Sequence, residues 1–481
     1  MRNTGTLFSA GWVVLSLATG ACTLTPPPTA PAIVQDIRSS KDFVGQSSNT
    51  ISSSDNYRWW VGVGGDELDA LVNSLKRDSL VLQEARSQLE QAREASLSAR
   101  GQRLPTASGF TDVSTDRSPD LAGAYSWSET YSSGVLLDLN SDIFGGLRTA
   151  QSAAELTSLS SEYSLKATEQ REIAILAKSW ISAATLVKRL ELAQRNVESF
   201  RSTYNLTNDR YSAGSSSVTA SDVQIALQNF ETAQVDIPEL ETEIEKQLFI
   251  IDEQLGHLPG TTKATFVGDL LSVGASPVPI GRPASMLANR PDVAAAELRY
   301  LAALEDVGAA RANLYPAISL SASLTFQSDT PGEVFDWDRH IASLANSITA
   351  PLFQGGRLKS QVRAQQARAQ ELATAFARTA LSAMIDVEIA LADVYGLEEQ
   401  RGQLELAVKT AKLSNELAQG RYGQGLTSIL AVLETQRSLN AAEQNLLLTD
   451  QAIANARVDL FLSLGGDWFA LASDADSAVQ S

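Results

Sequence analysis

Residues 317 to 327 alternate without a break, with Ile318, Leu320, Ala322, Leu324 and Phe326 on one face and Ser319, Ser321, Ser323, Thr325 and Gln327 on the other. A period of two predicts a β-strand. Its length matches the roughly 9–11 residues that a tilted strand needs to cross a bilayer, apolar side to lipid and polar side to a lumen. A half-buried strand of a soluble protein has the same pattern, so this strand alone does not decide. An earlier zone, Thr106 to Leu139, is less regular but places Tyr125, Trp127 and Tyr131 on one parity, as an interfacial aromatic girdle would. Two strands are expected in each zone, near 106–139 and 317–352, which makes four per chain.

Downstream of each zone the pattern turns helical. From Leu147 to Ala213 there are 67 residues without one Gly or Pro, rich in Ala, Leu, Glu, Gln and Ser. At about 1.5 Å per residue a helix of this length spans on the order of 100 Å, far more than the ~30 Å of a compact domain. Further tracts free of Gly and Pro run from Arg357 to Tyr395 and from Leu426 to Leu464. Gly214 in one half, and Gly420, Gly423 and Gly425 in the other, mark the breaks. Each half therefore reads as a giant helical hairpin with its tip near Gly214 or Gly425.

The halves are copies. Arg100 and Pro105 recur as Arg311 and Pro316, and Arg210, Tyr211 and Gly214 recur as Arg421, Tyr422 and Gly425, all 211 positions apart. Gly145-Gly146 returns at nearly the same offset as Gly355-Gly356. So large a period argues for two copies of one supersecondary unit, each needing a partner to bury its apolar face. The organisation expected is a signal peptide at 1-21, a tether and equatorial segment at 22-65 and a first repeat at 66-257. An inter-repeat segment follows at 258-285, then a second repeat at 286-464 and a C-terminal tail at 465-481.

Composition narrows the partners. Of 481 residues 44% are hydrophobic and 20% charged, and no apolar run after the N-terminus reaches the 18 or so residues of a spanning helix. Any crossing must use strands. Four strands cannot close a barrel, and an open edge in hydrocarbon leaves backbone groups unsatisfied at several kcal/mol each. Oligomerisation is therefore expected: two copies supply eight strands and three supply twelve, and the larger count suits an aqueous lumen. A net charge of -18 argues against nucleic acid as a partner.

Arg2, the apolar stretch Leu7 to Ala18 and the small residues up to Cys22 have the order of an export signal. Cys22 is the only cysteine, so no intramolecular disulfide forms. It reads either as the lipid-acceptor residue of a bacterial lipoprotein, with Thr23 to Pro31 as an extended tether, or as the start of a chain after simple signal cleavage.

The stretch from Leu287 to Leu320 carries the most specific signature. It runs Leu-Ala-Asn-Arg-Pro-Asp-Val, then Ala-Ala-Ala-Glu-Leu-Arg, with Gly308, Ala310-Arg311 and Tyr315-Pro316 beyond. With Trp59-Trp60 ahead of Asp66, Leu68 and Leu71, the Asp138 to Arg148 stretch and both Arg-Tyr-x-x-Gly elements, this resembles the TolC-like outer membrane efflux protein family, in its OprM/NodT-type lipoprotein branch. The resemblance covers nearly the whole mature chain. It implies a homotrimer with a 12-stranded outer membrane β-barrel continuous with a long periplasmic α-helical barrel, plus a small mixed equatorial domain. It also implies a passive duct in the outer membrane of a Gram-negative bacterium, working with a periplasmic membrane-fusion adaptor and an inner-membrane pump of RND type.

By the same resemblance Leu430 and Glu434 are a periplasmic gate, an apolar ring and an acidic ring one helical turn apart. Periodicity alone reads them as a coiled-coil knob and a solvated acid. Many relatives carry an Asp where this chain has Ala431, and the first repeat has Thr219 and Val223 at the matching places, so the gate is expected in the second hairpin alone. Arg210, Tyr211 and Gly214, with Arg421, Tyr422 and Gly425, are expected to form the tips that an adaptor grips. Arg290, Pro291 and Asp292 are expected to be structural, with Pro291 in a helix's first turn and Asp292 capping it. Catalysis, cofactor and metal are not expected: His257 and His340 are the only histidines, and Gly62, Gly64 and Gly65 lack the context of a phosphate loop. Two other readings use the same elements, an exit duct for a type I protein-secretion system and a non-conducting structural coiled-coil protein.

Overall fold

The computed structural model describes residues 24–40, 43–44, 58–119, 125–268 and 283–466; Cys22, the signal segment and the end of the C-terminal tail lie outside them. In chain order the helices and strands are α1 (Ala32–Ser39), α2 (Val61–Asp78), α3 (Leu80–Gly101), β1 (Thr106–Pro119), β2 (Tyr125–Ser141), α4 (Gly146–Ser212), α5 (Ala220–Ala233) and α6 (Asp236–Leu255). After these come α7 (Pro283–Asn289), α8 (Pro291–Ala312), β3 (Ala317–Ser328), β4 (His340–Thr349), α9 (Arg357–Gly423) and α10 (Ile429–Ser463).

The duplication is visible residue by residue. Helices α3 and α8, strands β1 and β3, and helices α4 and α9 each begin 211 positions apart, and α4 and α9 are both 67 residues long. Helix α9 keeps that length by running through Gly396, Gly402 and Gly420, where a side chain would meet nothing within 4 Å. Each such glycine costs a helix about 1 kcal/mol, too little to stop it. The return arms differ. Helix α10 is one unbroken piece of 35 residues, whereas its counterpart is split into α5 and α6, because Pro238, in the first turn of α6, has no N–H to donate to the carbonyl four residues back and its ring crowds that carbonyl. Three-residue turns at Gln234, Val235 and Ile237 carry the chain across the split.

The chain forms two compact units. One takes in residues 99–153 and 304–366 with the N-terminal segment, and the other takes in residues 28–98, 154–303 and 367–481. In the first, β1 to β4 make a four-stranded antiparallel sheet in sequence order. Antiparallel neighbours follow from the two hairpins and the intervening return of the chain. The segment after Cys22 is more than an extended tether here. Arg311 donates to the Leu24 carbonyl at 2.8 Å, the Thr25 hydroxyl donates to Glu305 at 2.9 Å, and a Cβ on Gly308 would lie 2.6 Å from the Thr25 hydroxyl. Gly308 thus lets the segment lie directly on α8.

The core of the second unit surrounds Trp180, which has no exposed surface. Leu68, Val72 and Leu75 of α2, Leu176 and Ile181 of α4, Ile251 and Leu255 of α6, and Ala454 and Val458 of α10 pack with it. At about 25 cal/mol per Å², each large side chain buried here contributes roughly 1.5–3 kcal/mol. Two glycines of the cluster at 62–65 have structural reasons. A Cβ on Gly64 would meet Trp180 at 3.0 Å, and Gly65 has φ 58, which bends the start of α2. Trp59 stacks on Phe461 with ring centroids 5.5 Å apart, and the Trp60 indole donates to Asp69 at 2.8 Å.

Candidate functional site

Both Arg-Tyr-x-x-Gly elements are helix C-caps. In α4 the Ser215 N–H donates to the Arg210 carbonyl (3.1 Å) and that of Gly214 to Tyr211 (3.0 Å); in α9 the Leu426 N–H donates to Arg421 (2.9 Å) and that of Gly425 to Tyr422 (2.9 Å). These are the paired bonds of the Schellman motif, which needs a left-handed residue after the helix. Gly214 and Gly425 supply it, with φ 74 and φ 79. The spacing of the motif follows, because Arg and Tyr occupy the two positions whose carbonyls the cap satisfies.

The two tips then diverge. Tyr211 is exposed, whereas Tyr422 is buried among Phe200, Ile429, Val432 and Leu433. Arg210 lies 5.0 Å from the Tyr422 ring centroid and donates to the Tyr422 carbonyl. The Tyr422 hydroxyl lies 3.0 Å from that of Thr207, and Gln436 donates to Ser199 and Thr203, each at 2.9 Å. A polar ladder on α4 thus locks the α9–α10 turn in place. Tyr422 is a buried lock component, the one residue of the six at the tips that is buried. Beside it, Arg195, Glu198, Ser202, Leu206 and Gln419 border an open groove of about 560 Å³.

Leu430 and Glu434 share the opposite face of α10. Ile429, Val432 and Leu433 point into the small core, while Leu430 is 55% exposed and the Glu434 side chain 77% exposed, with Arg437 3.7 Å from its carboxylate. Their counterparts do other work. Thr219 is the N-cap of α5, closed in a capping box with Asp222, and Val223 is buried. Helix α10 starts without such a side-chain cap at Ser428, which leaves position 430 free to be a leucine.

Arg290 holds three elements together. It makes a bidentate pair with Asp292 (3.0 and 2.7 Å), reaches Asp386 of α9 at 3.3 Å, and donates to the Ser463 carbonyl at the end of α10 at 3.2 Å. Pro291 is the first residue of α8, and Asp292 accepts from the Val293 N–H at 2.9 Å. Burial alone would push the Asp292 carboxyl up, but the Arg290 guanidinium outweighs it and holds that carboxyl below its ordinary range. Sequence reasoning passed over a second anchor of this kind, Asp252. It is fully buried and accepts from the N–H groups of Gly260 (2.6 Å) and Thr262 (2.9 Å) and from the Thr262 hydroxyl (2.6 Å). A lone Asp inside the acidic, apolar run of α6 gives no sequence signal for that role. The acids before it behave as a solvated face, Glu243 pairing with Lys246 and Glu245 with Lys263.

The sheet separates its side chains by face. Register places Leu320, Ala322, Leu324 and Phe326 beside Leu139, Leu137, Val135 and Ser133, and beside Asn346, Leu344, Ala342 and His340. Trp337 lies against Phe326 and His340 at the end of this apolar band. The other face carries Ser108, Ser114, Ser118, Ser128, Thr130, Ser132, Ser319, Ser321, Ser323, Ser343 and Ser347, with Asp112, Asp116 and Asp138. Asp138 accepts from the Ser321 hydroxyl at 2.7 Å. One face suits hydrocarbon and the other suits water.

One family model, described as outer membrane efflux protein, matches residues 71–257 and 283–466. The chain belongs to that family. As an outer membrane efflux protein it is the outer membrane channel of an efflux system, with the TolC-like fold. It is 28% identical over 464 residues to the pyoverdine export outer membrane protein OpmQ of Pseudomonas putida, covering 94% of this chain and 96% of that one. It is also 28% identical over 473 residues to outer membrane protein OprJ of Pseudomonas aeruginosa, covering 96% of each. Among solved structures, a membrane protein from Pseudomonas aeruginosa superposes with a TM-score of 0.82 at 26% identity, over 93% of this chain and 98% of that one. The outer-membrane channel OprN shares the fold with the same TM-score at 24% identity, over 93% of this chain and 100% of that one.

Proposed function

We propose that this outer membrane efflux protein works as a homotrimeric exit duct of a tripartite system, passing small molecules outward from an inner-membrane pump, of RND type, through a periplasmic adaptor. The observation that carries the reading is the open sheet. Its apolar face requires lipid, yet β1 and β4 are edges, and unpaired edges in hydrocarbon cost several kcal/mol per group. Pairing β4 of one copy with β1 of the next removes every edge, and three copies give a 12-stranded barrel wide enough for an aqueous lumen lined by the Ser, Thr and Asp face.

In this reading Leu430 and Glu434 form the periplasmic gate, and Arg210, Tyr211, Gly214, Arg421 and Gly425 shape the tips where the adaptor docks. Cys22 carries the lipid anchor. The hold of Glu305 and Arg311 on Thr25 and Leu24 supports that anchor, since it fixes the chain two residues beyond Cys22 on the helix that leads into β3. Relatives are named for pyoverdine export and for cation efflux, and we infer a small-molecule cargo here as well.

Deleting the gene tests the function. Susceptibility to a panel of hydrophobic drugs, dyes and metal-chelating compounds should rise, with export of secreted proteins intact. Lost protein secretion with unchanged susceptibility would replace this reading with the protein-secretion duct. Cross-linking of the membrane-embedded protein should stop at the trimer.

A further inference from the structure

The outward face of the sheet continues past its apolar band. Tyr131, opposite Val113, is on the last rung of that band; four residues further along β2, Trp127 stands opposite Arg117, and Tyr125 then stands opposite Pro119. With a rise of about 3.3 Å per residue and a tilt of about 40°, the Arg117 rung lies about 10 Å above Tyr131 along the membrane normal. Both aromatic rings are exposed, Tyr125 at 64% and Trp127 at 68%. The Arg117 guanidinium carbon lies 5.1 Å from the centre of the Tyr125 ring and 5.7 Å from that of Trp127. Arg117 is the only Lys or Arg in the four strands. Among the described residues it has no hydrogen bond or ion pair. Among the described residues, the acid next to it on that face is Glu129, opposite Thr115 and one rung closer to the membrane, which accepts from the Tyr131 hydroxyl at 2.8 Å.

We propose that Arg117, Tyr125 and Trp127 bind the phosphorylated saccharide head group of an outer-leaflet glycolipid. A guanidinium held over aromatic rings and engaged in no hydrogen bond keeps N–H groups available, and its fork matches two phosphate oxygens at once. Exposed Tyr and Trp rings supply flat apolar faces for the C–H side of a sugar, with a polar atom at the rim. Height selects the lipid. A phospholipid head-group layer is roughly 5–8 Å thick, so with the hydrocarbon edge set at the last apolar rung, that of Tyr131, a cation about 10 Å above that rung stands beyond the layer, where a glycolipid places its phosphosugars. The site is continuous with the lipid-facing band and rests on reading this sheet as the membrane barrel with the β1–β2 turn at the cell surface.

The full-length protein, purified in detergent, would be titrated with rough-type lipopolysaccharide, with the same lipopolysaccharide after enzymatic dephosphorylation, and with phosphatidylglycerol. Wild type should bind the phosphorylated glycolipid about tenfold tighter than either control, the worth of one charge-assisted hydrogen bond. Arg117→Ala should lose that margin, Arg117→Lys should keep part of it, and Trp127→Ala should weaken binding several-fold with Arg117 intact. Equal binding of the three lipids, or of wild type and Arg117→Ala, would overturn the proposal. Conductance in planar bilayers separates the two readings: variants that insert and conduct normally while losing the glycolipid support the site, whereas a wild-type chain that forms no channel at all sinks the membrane reading beneath it.

Discussion

The guanidinium of Arg210, from the first repeat, lies over the ring of Tyr422, from the second, 5.0 Å from its centre. It therefore joins the cap of α4 to the cap of α9. A cation–π contact contributes about 0.5–2 kcal/mol, and a cation at the C-terminal end of a helix adds about 0.3–1 kcal/mol. Arg210→Ala should destabilise the tip by about 1–2 kcal/mol on these grounds. Tyr422→Phe, which removes only the hydroxyl facing Thr207, should cost about 1 kcal/mol. Because both changes free the α9–α10 turn from α4, single-channel conductance should rise in both variants and more so for Arg210→Ala. Wild-type melting and conductance in Arg210→Ala would show that the contact holds nothing.

The exposed pair on α10 makes a separate prediction. If the two residues form the proposed gate, Leu430→Ala and Glu434→Ala together remove an apolar ring that excludes water and a ring of charge one turn beyond it, and conductance in planar bilayers should rise. Neither residue belongs to the small core, so the thermal midpoint should stay within the range of surface substitutions, about 0.5 kcal/mol. Unchanged conductance with a normal trimer would remove the gate assignment.

Gly214 and Gly425 have the same backbone geometry but different surroundings. Nothing lies within 4 Å of a Cβ on Gly214, whereas a Cβ on Gly425 would meet the Arg210 guanidinium at 3.1 Å. Alanine at either site costs about 1–2 kcal/mol for the left-handed conformation. Gly425→Ala should cost more than Gly214→Ala, and a double-mutant cycle with Arg210→Ala should show coupling at 425 alone. Equal costs and no coupling would count against the lock.

Arg290 and Asp292 make the fold sensitive to acid. The folded-state carboxyl of Asp292 sits below its ordinary range, beneath the value near 3.9 of an unfolded chain. Its contribution to stability is therefore complete above about pH 4 and lost as pH falls through the lower folded-state value. Melting temperature measured from pH 7 down to 2 should fall less steeply below pH 4 in Asp292→Asn than in wild type, starting from a lower plateau. Arg290→Ala should cost roughly 2–3 kcal/mol of stability at neutral pH, seen as a lower plateau, because three partners lose a shared donor. Parallel profiles for wild type and Asp292→Asn would discard the pair as a source of acid lability.

Much of this was legible in the sequence because it is periodic. The strand faces, the 67-residue helix and the 211-residue offset all come from backbone repeats that side-chain type reports directly. The RYxxG motif was visible as a spacing, but its cause was not: the bonds of Ser215 and Leu426 to carbonyls five residues back involve no side chain. Tyr211 and Tyr422 occupy equivalent places in that motif, and only tertiary packing separates an exposed ring from a buried one. Arg290, Asp386 and Ser463 are remote in sequence, so the clamp they form had no local signal. Pro238 was a local signal for the split between α5 and α6, which the long helical pattern around it obscured.

The polar face of the sheet predicts the channel's preference among ions. Asp112, Asp116 and Asp138 lie there with serines and threonines, and no Lys or Arg shares that face. Asp112 and Asp116 are four residues apart on β1, about 13 Å along the strand, and Asp138 pairs with Thr106, six residues below Asp112. In a three-fold barrel they form three acidic rings at three heights, each acting over a screening length of about 8 Å at physiological salt. A permeating anion must therefore pass three successive repulsive levels, and a cation meets none. Reversal potentials across a tenfold KCl gradient should show potassium favoured over chloride in wild type. The triple change of Asp112, Asp116 and Asp138 to Asn keeps size while removing three charges per chain, and should move the reversal potential toward zero. Raising the salt to 1 M, where the screening length falls to about 3 Å, should do the same without mutation. A triple variant as cation-selective as wild type would locate the selectivity outside the sheet, in the helical part of the chain.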